Sequence, residues 1–448
     1  MTNDQQAAAD PASDAPSGAV TVASATAIGV GGMMGAGLYT LVGLATTTAG
    51  VWLPVAFLVG AFVAAFSVYS YAKLGATFPS RGGAAQFLIE GFGDGILAGG
   101  LNIFQFLGWV IAMALYASGF AGYALDLLPD GWPSWSGKLI ALGLLVLVVA
   151  VNLVGTKLVG RAELYVIAVE LAILMTFIVL GLAKSHLHHF DATGGSGFLG
   201  VLFAAGLLYV TFEGFGVVTN SAGEMRDPAR QLPRAMYGSL AIVTSVYVLV
   251  SVVVIATLSL AAIDANQGHV LAEVGRALSG RVGFVAIGAA ALLATASGVN
   301  ATLFGDANLA FQMAKDGELP EVFSRKVWHG GPGSLFIAAG LTGLFVVAFP
   351  LSAVGQMASL AFLIVYGSVS VGHLRIRAKT GAKTGLLVAA VGLNAALFAL
   401  LLEHAIATGP AATWITLLGT LAFSFAFAAI YRRHRGTRTG PAASSPAK

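Results

Sequence analysis

Uncharged stretches long enough to cross a bilayer follow one another along this chain with little between them. A membrane-spanning helix needs about 20 predominantly apolar residues. No charged side chain occurs between Ala15 and Ala72, and Gly50 divides that run with apolar sequence on both sides, which predicts two spans. Further uncharged runs extend over Gly95–Leu125, Leu139–Thr156, Leu171–Ala183, Ala192–Phe212, Ala235–Ile263, Val282–Gly305, Val327–Leu374, Thr384–Leu402 and His404–Tyr431. The run from Val327 accommodates two helices and divides near Pro350, because proline cannot continue a helical ladder. The pattern therefore predicts an all-α membrane protein with twelve transmembrane helices. A β-barrel is excluded, since the apolar runs are continuous and lack the period-two alternation of lipid-facing strands.

Composition reinforces this reading. Of 448 residues, 57% are hydrophobic and 10% charged, whereas soluble domains carry roughly a quarter charged residues. The 58 glycines suit helices that approach closely through small side chains. Residues 1–18 are polar and acidic and hold no Lys or Arg, so no cleaved secretory leader is expected. The absence of cysteine excludes disulfides and thiolate metal sites.

Lys and Arg collect on the cytoplasmic side of membrane proteins. With twelve spans and an inner N-terminus, only Lys138, Lys184, Arg276 and Arg281 among the 23 Lys and Arg fall outside, and the other 19 fall inside. The expected layout is a polar tail (1–18), a first set of five spans (19–183), a second set of five (196–374), two further spans (384–431) and a basic tail (432–448), with both termini cytoplasmic. The net charge of +3 then reflects sorting across the bilayer and not a nucleic-acid footprint. The cluster Arg432–Arg438 is expected to anchor the tail at anionic headgroups.

Two segments depart from ordinary apolar helix. Gly29–Tyr39, GVGGMMGAGLY, holds five glycines in eleven residues within span one, and Phe212–Gly216, FEGFG, places a carboxylate among aromatics and glycines within span six. Each interior glycine costs a helix about 1 kcal/mol relative to alanine. These spans open the two successive five-helix sets, so the recurring break is the signature of an inverted repeat, with substrate expected at the paired interruptions. Freed N–H groups and a half-helix N-terminus favour a carboxylate, and freed carbonyls favour an ammonium group or cation. The bland alternative is close packing through small residues.

The ordered set GVGGMMGAGLY, YAKLGATFPSRGGAAQFL, NLVGTKLVGRAEL, FEGFGVVTNSAGEMRDPARQLPRAM and NATLFGDANLAFQMAKDGELP resembles the amino acid-polyamine-organocation superfamily, especially the bacterial and archaeal amino acid permeases. The resemblance covers the first ten spans. It implies a five-plus-five inverted-repeat core of the LeuT type, with helices one and six broken and two C-terminal helices added. It further implies that Gly35, Ala36 and Gly37 present amides to a substrate carboxylate, that Phe212, Glu213, Gly214, Phe215 and Gly216 form the other broken helix, and that Gln105 and Trp109 are wall residues on span three. Where proton-coupled relatives carry a lysine, this chain has Glu170. Ser297 on span eight matches a helix whose hydroxyls serve ion sites in sodium-coupled relatives.

Ionisable groups deep in a span mark function by default. Glu170 lies nine residues past Arg161, about 14 Å along a helix. It is the candidate for proton coupling, with a sodium site or a satisfied structural hydrogen bond as alternatives. Glu163 shares its helix face and is expected to pair with an inner-loop base. Glu213 either favours substrates with a positive side chain or bonds freed amides, and Asp306 is expected to face the interior or inner vestibule and pair with a loop cation. Three histidines, His186, His188 and His189, read as a solvated loop, and no metal site is predicted. GAKT at Gly381–Thr384 and GFGDG at Gly91–Gly95 lack the context of phosphate and dinucleotide loops.

Nothing resembles a hydrolytic triad or a nucleotide-hydrolysing domain, so no enzyme is expected and energy comes from an ion or substrate gradient. The expected function is a secondary active, proton-linked amino acid transporter in the cytoplasmic membrane of a prokaryote. It takes a small molecule, an amino acid or amine, as substrate, with no cofactor, nucleic acid or obligate protein partner, and a proton or sodium as coupling ion. A polyamine or cationic amino acid exchanger is the alternative within the class. A non-transporting nutrient sensor is the alternative outside it, while a channel lacks the required polar pore.

Overall fold

The computed structural model describes residues 20–79, 83–129, 131–133, 135–154, 156–184 and 197–436, and the described residues contain no β-strand. Along the chain run α1 (Val22–Met34), α2 (Ala36–Ala49), α3 (Leu53–Thr77), α4 (Gly83–Phe92), α5 (Ile96–Leu127), α6 (Ser136–Val154), α7 (Thr156–Lys184) and α8 (Gly197–Leu208). A 3-10 helix over Tyr209–Glu224 continues α8. Then come α9 (Pro228–Thr257), α10 (Leu260–Ala265), α11 (Val270–Asp316), α12 (Gly333–Ala348), α13 (Leu351–Thr380), α14 (Thr384–Thr408) and α15 (Ala411–Gly436).

Ten stretches among the described residues are long and apolar enough to cross a membrane, and two shorter apolar helices, Val22–Met34 and Gly333–Ala348, accompany them. One of the ten, Gly37–Thr77, takes in both α2 and α3, which are separated where Gly50 adopts φ 57°, a conformation side-chain-bearing residues avoid. The 47-residue α11 bends at Ser279 and Gly280, where the backbone leaves helical geometry. Helix starts carry local signals. Thr21 and Ser24 form a capping box ahead of α1, and Asp227 caps α9 by accepting from the Arg230 N–H just before Pro228.

The core gathers around α5 and the α8–Glu224 segment, in each of which 78% of the apolar window is buried, against 22% for α6 and α15. The exposed side chains Val146, Leu147, Val179 and Phe423 are apolar and suit a lipid surface. Against α5 pack α11, α13, α15, α6 and α12, while α1 packs on α9 and on the 3-10 helix. The histidine-rich segment and the tails 1–19 and 437–448 lie outside the described residues, as does the Glu163 side chain.

Both expected interruptions are present, in forms the glycine content alone does not specify. In the first, helicity fails only at Gly35, φ −49° and ψ −134°, and resumes at once in α2. In the second, the chain does not open into a coil but tightens into sixteen residues of 3-10 helix, far beyond the three or four residues usual for this geometry. The interruptions touch backbone to backbone. A Cβ added at Gly214 would fall 2.1 Å from Gly32 C and 2.4 Å from Met33 N. Gly214→Ala should therefore lower the melting temperature in detergent markedly, since overpacking costs about 1–3 kcal/mol and backbone yields less than a side chain. Gly223→Ala on the same helix, where an added Cβ meets nothing within 4 Å, should leave it unchanged. Equal melting of the two variants would contradict the contact.

Candidate substrate site between the two interruptions

Three residues per turn set which side chains of the 3-10 helix share a face. Tyr209, Phe212, Phe215 and Val218 form one stripe and are fully buried. Phe212 packs on Tyr247, and Phe215 on Tyr71 and Tyr366. The other two faces carry Glu213 and Gly216, and Gly214, Val217 and Asn220. All five line a cavity of about 1200 Å³. The winding thus turns a single apolar edge to the core and gives two edges to the cavity and to α1.

Tightening from α to 3-10 and breaking at Gly35 both release backbone groups, and neighbouring hydroxyls take them up. Ser359 Oγ on α13 donates to Leu207 O and accepts from the Val210 N–H, spanning the α8 junction. On α9 the Tyr247 hydroxyl lies between Met33 O and Thr211 O, one carbonyl from each interruption. Tyr366 donates to Glu213 O at 2.7 Å. Unpaired buried backbone polar groups cost about as much as a lost hydrogen bond, so these three hydroxyls hold the irregular segments in place.

The cavity gathers most of the residues singled out from the sequence. Gly35, Gln105, Trp109, Glu170, Glu213, Gly214, Gly216 and Ser297 all line it. Phe212 and Phe215 lie instead on the core stripe behind it. Gly37 sits against Thr211, 3.1 Å from its Cα at an added Cβ, and the Ala36 side chain is outside the described ones. Trp109 meets Phe362 edge-on at 4.7 Å.

Four of the acids that line the cavity are buried, Glu213, Glu170 and Asp306 together with Glu318 at the rim. Tyr116 donates to Glu213 Oε1 at 2.6 Å, and Glu213 Oε2 has no hydrogen-bond partner. Glu170 Oε1 likewise has none at hydrogen-bonding geometry, although the Tyr39 hydroxyl, itself without another partner, lies close enough to act on it as a donor, and Tyr247 lies within electrostatic reach. Asp306 is 2% exposed and neither of its carboxyl oxygens is bonded. It faces the interior as expected, and among the described residues no loop cation pairs with it. Glu213 takes a phenol and not the freed amides that were one of its two expected roles.

From Gly35 and Glu213 the cavity runs to Gln86, Asn220, Asp316 and Glu318, at the end of the molecule where Lys73, Arg230 and Lys315 also lie. At this rim Arg432 of α15 pairs with Asp94 and with Glu318, and Asn102 donates to Glu318 Oε2. Burial pushes the Glu318 carboxyl above its ordinary range, against the opposing pull of Asn102 and Arg432. Arg432, expected at lipid headgroups, thus belongs to this network. At the opposite end the way is closed. Tyr123 donates to Tyr39 O at 3.1 Å, and Gly43 abuts the backbone of Gln267.

A family model described as amino acid permease matches residues 20–431. The chain belongs to this family. An uncharacterized protein of Methanocaldococcus jannaschii is 33% identical over 91% of this chain and 94% of its own length. The inner membrane transport protein YbaT of Escherichia coli is 30% identical over 91% and 95%. The branched-chain amino acid permease BcaP of Bacillus subtilis is 26% identical over 79% and 80%. This permease is accordingly a multi-pass membrane transporter of the amino acid-polyamine-organocation superfamily, acting on a small molecule, and not an enzyme.

The residues that sequence reasoning missed are Tyr116, Tyr247, Ser359 and Tyr366. Their partners lie 36 to 214 residues away along the chain, and a hydroxyl in an apolar span carries no mark of whether it bonds its own helix or a distant one. A recognisable signal did exist for the 3-10 winding in the aromatic spacing of three at Tyr209, Phe212 and Phe215. The natural absence of cysteine permits a direct check of the cavity. Ser297→Cys should react readily with a water-soluble thiol reagent in the purified permease. Ala291→Cys, fully buried one turn and a half earlier on α11, should react at least tenfold more slowly, because thiol reactivity follows access. Similar rates would argue against an open path to Ser297.

Proposed function

We propose that this permease is a secondary active amino acid transporter, coupled to protons and working by alternating access. The observation that carries the proposal is the meeting of the two interruptions at a cavity where Glu170 and Glu213 each keep a buried carboxyl oxygen unbonded. An acid oxygen at that depth is satisfied by a proton or a cation, and a carrier that gains or loses it as the helices rearrange couples the two fluxes. The break at Gly35 leaves the first amides of α2 and their positive partial charge near the cavity. That favours an α-carboxylate. Sodium in place of the proton is the alternative coupling ion.

The proposed architecture has twelve spans, both termini in the cytoplasm of a prokaryote and two inverted sets of five. The first set takes α1 with α2, then α3, α5, α6 and α7, and the second takes α8 with the 3-10 helix, then α9, α11, α12 and α13. In support, a short helix follows the second span of each set. α4 lies at the cavity mouth and α10 lies beside α2 toward the closed end, as inversion requires. With the positive residues inside, the cavity faces the cytoplasm.

A second reading, transport of cationic amino acids or polyamines, is favoured by charge. Glu170, Glu213, Asp306, Asp316 and Glu318 line the cavity, and no Lys, Arg or His does so among the described residues. Relatives span more than one substrate type, since a methylthioribose transporter of Bacillus subtilis is 24% identical over 79% of this chain. A membrane sensor would bind the same ligands without moving them.

Uptake of labelled amino acids and polyamines into proteoliposomes, with and without an imposed pH gradient, separates these readings. The expected result is accumulation that the pH gradient drives and that Glu170→Gln loses, while exchange across equal pH persists in the variant. Unchanged pH-driven accumulation in Glu170→Gln would remove proton coupling at this residue. Loss of cationic substrates alone in Glu213→Gln would favour the second reading, and saturable binding with neither uptake nor exchange would favour the sensor.

A further inference from the structure

A second cluster of metal-capable side chains stands at the closed end, away from the cavity. Asp126 lies in the last turn of α5, His269 caps the start of α11, and Glu273 lies in the first turn of that helix. One ligand atom from each of the three lies within 4.8 Å of the others. His269 Nε2 is 3.4 Å from Asp126 Oδ1 and 3.2 Å from Asn266 Oδ1. The Asn266 amide donates through Nδ2 to Ala262 O at 2.7 Å, which turns its Oδ1 toward the imidazole. Two oxygens thus converge on a ring nitrogen that can offer at most one proton, with a Glu273 carboxylate oxygen close by.

We propose that Asp126, His269 and Glu273 form a divalent-cation site, with Asn266 Oδ1 or water completing the coordination. Nitrogen and oxygen ligands sit about 2.0–2.2 Å from zinc, which in a tetrahedral arrangement places them about 3.4 Å apart from one another. The histidine–aspartate pair already has this spacing. Glu273, within 4.8 Å of the other two, must move in by no more than about 1.4 Å to reach this spacing, within reach of one rotamer adjustment. Two carboxylates balance the charge of the ion, and a mixed imidazole–carboxylate set suits zinc or manganese.

The competitor for Glu273 is Arg276, 3.2 Å from its carboxylate and half exposed. Its guanidinium also stacks over the Phe284 ring at 3.9 Å, a resting place that stays available when an ion takes Glu273. A bound ion ties the end of α5 to the start of α11. The segment between Asn266 and Glu273 abuts Gly43 of α2 and Gly122 of α5, so the tie holds this end of the molecule shut.

Calorimetric titration of the purified full chain with zinc and manganese chlorides tests the site without reference to transport. The protein is prepared without affinity histidines, and His186, His188 and His189 are replaced by alanine so that they do not compete for the ion. One saturable ion per chain is expected, weakened at least tenfold by Asp126→Asn and by His269→Gln, and strengthened severalfold by Arg276→Ala. The ion should also slow amide hydrogen exchange over residues 266–273 in the parent chain and not in the two weakened variants. Melting curves without metal show that each variant is folded, and either weakened variant alone suffices if the other is not. No saturable binding in the parent, or undiminished binding in the folded Asp126→Asn or His269→Gln chain, overturns the site. Binding without protection of residues 266–273 overturns the tie.

Discussion

The contact between the backbones of Gly32 and Gly214 constrains everything around it. Two helices can meet at this distance only where neither carries a Cβ, and both do so next to a loss of regular α-helix. The same approach that interrupts the helices therefore brings the interruptions together, and it carries the carbonyls of Met33 and Thr211 to one hydroxyl, that of Tyr247. Remove the contact and the polar groups released at Gly35 and in the Tyr209–Glu224 helix have no common partner in an otherwise apolar interior.

That arrangement also explains how an acidic cavity persists in a chain with so few charges. Hydroxyls from α9 and α13 satisfy the irregular backbone, so the carboxyls of Glu213 and Glu170 are not needed for that purpose and keep oxygens turned to the cavity. Structural polarity and cavity polarity are supplied by different helices. In the proposed transport cycle this separation lets a proton or a substrate ammonium come and go without dismantling the helix breaks.

The spans were legible because the lipid imposes a length and a polarity that each run of uncharged residues displays directly. Family membership was legible in the ordered motifs, and the comparison with known permeases shows it. The glycine clusters pointed to the places where α1 and the 3-10 helix meet, since close approach demands glycine in the sequence itself. What stayed hidden depends on partners remote along the chain. Tyr116 looks like any aromatic residue of an apolar helix until Glu213 is found beside it, and Arg432 looks like a headgroup anchor until α15 is folded back against Asp94 and Glu318. The 3-10 winding escaped for a different reason. Composition reports where an α-helix is weak and not what replaces it.

The central claim is that the two interruptions form one packed unit, and cross-linking tests it most directly. A Cβ at Gly37 stands 3.2 Å from the Thr211 Cβ, close to the roughly 3.5–4.5 Å that a disulfide requires. In this cysteine-free chain, the double variant Gly37→Cys, Thr211→Cys should form an intramolecular disulfide under mild oxidation, seen as joined fragments after cleavage at a protease site inserted between residues 184 and 197. Failure of the two thiols to join in a double variant that its melting curve shows to be folded would contradict the account.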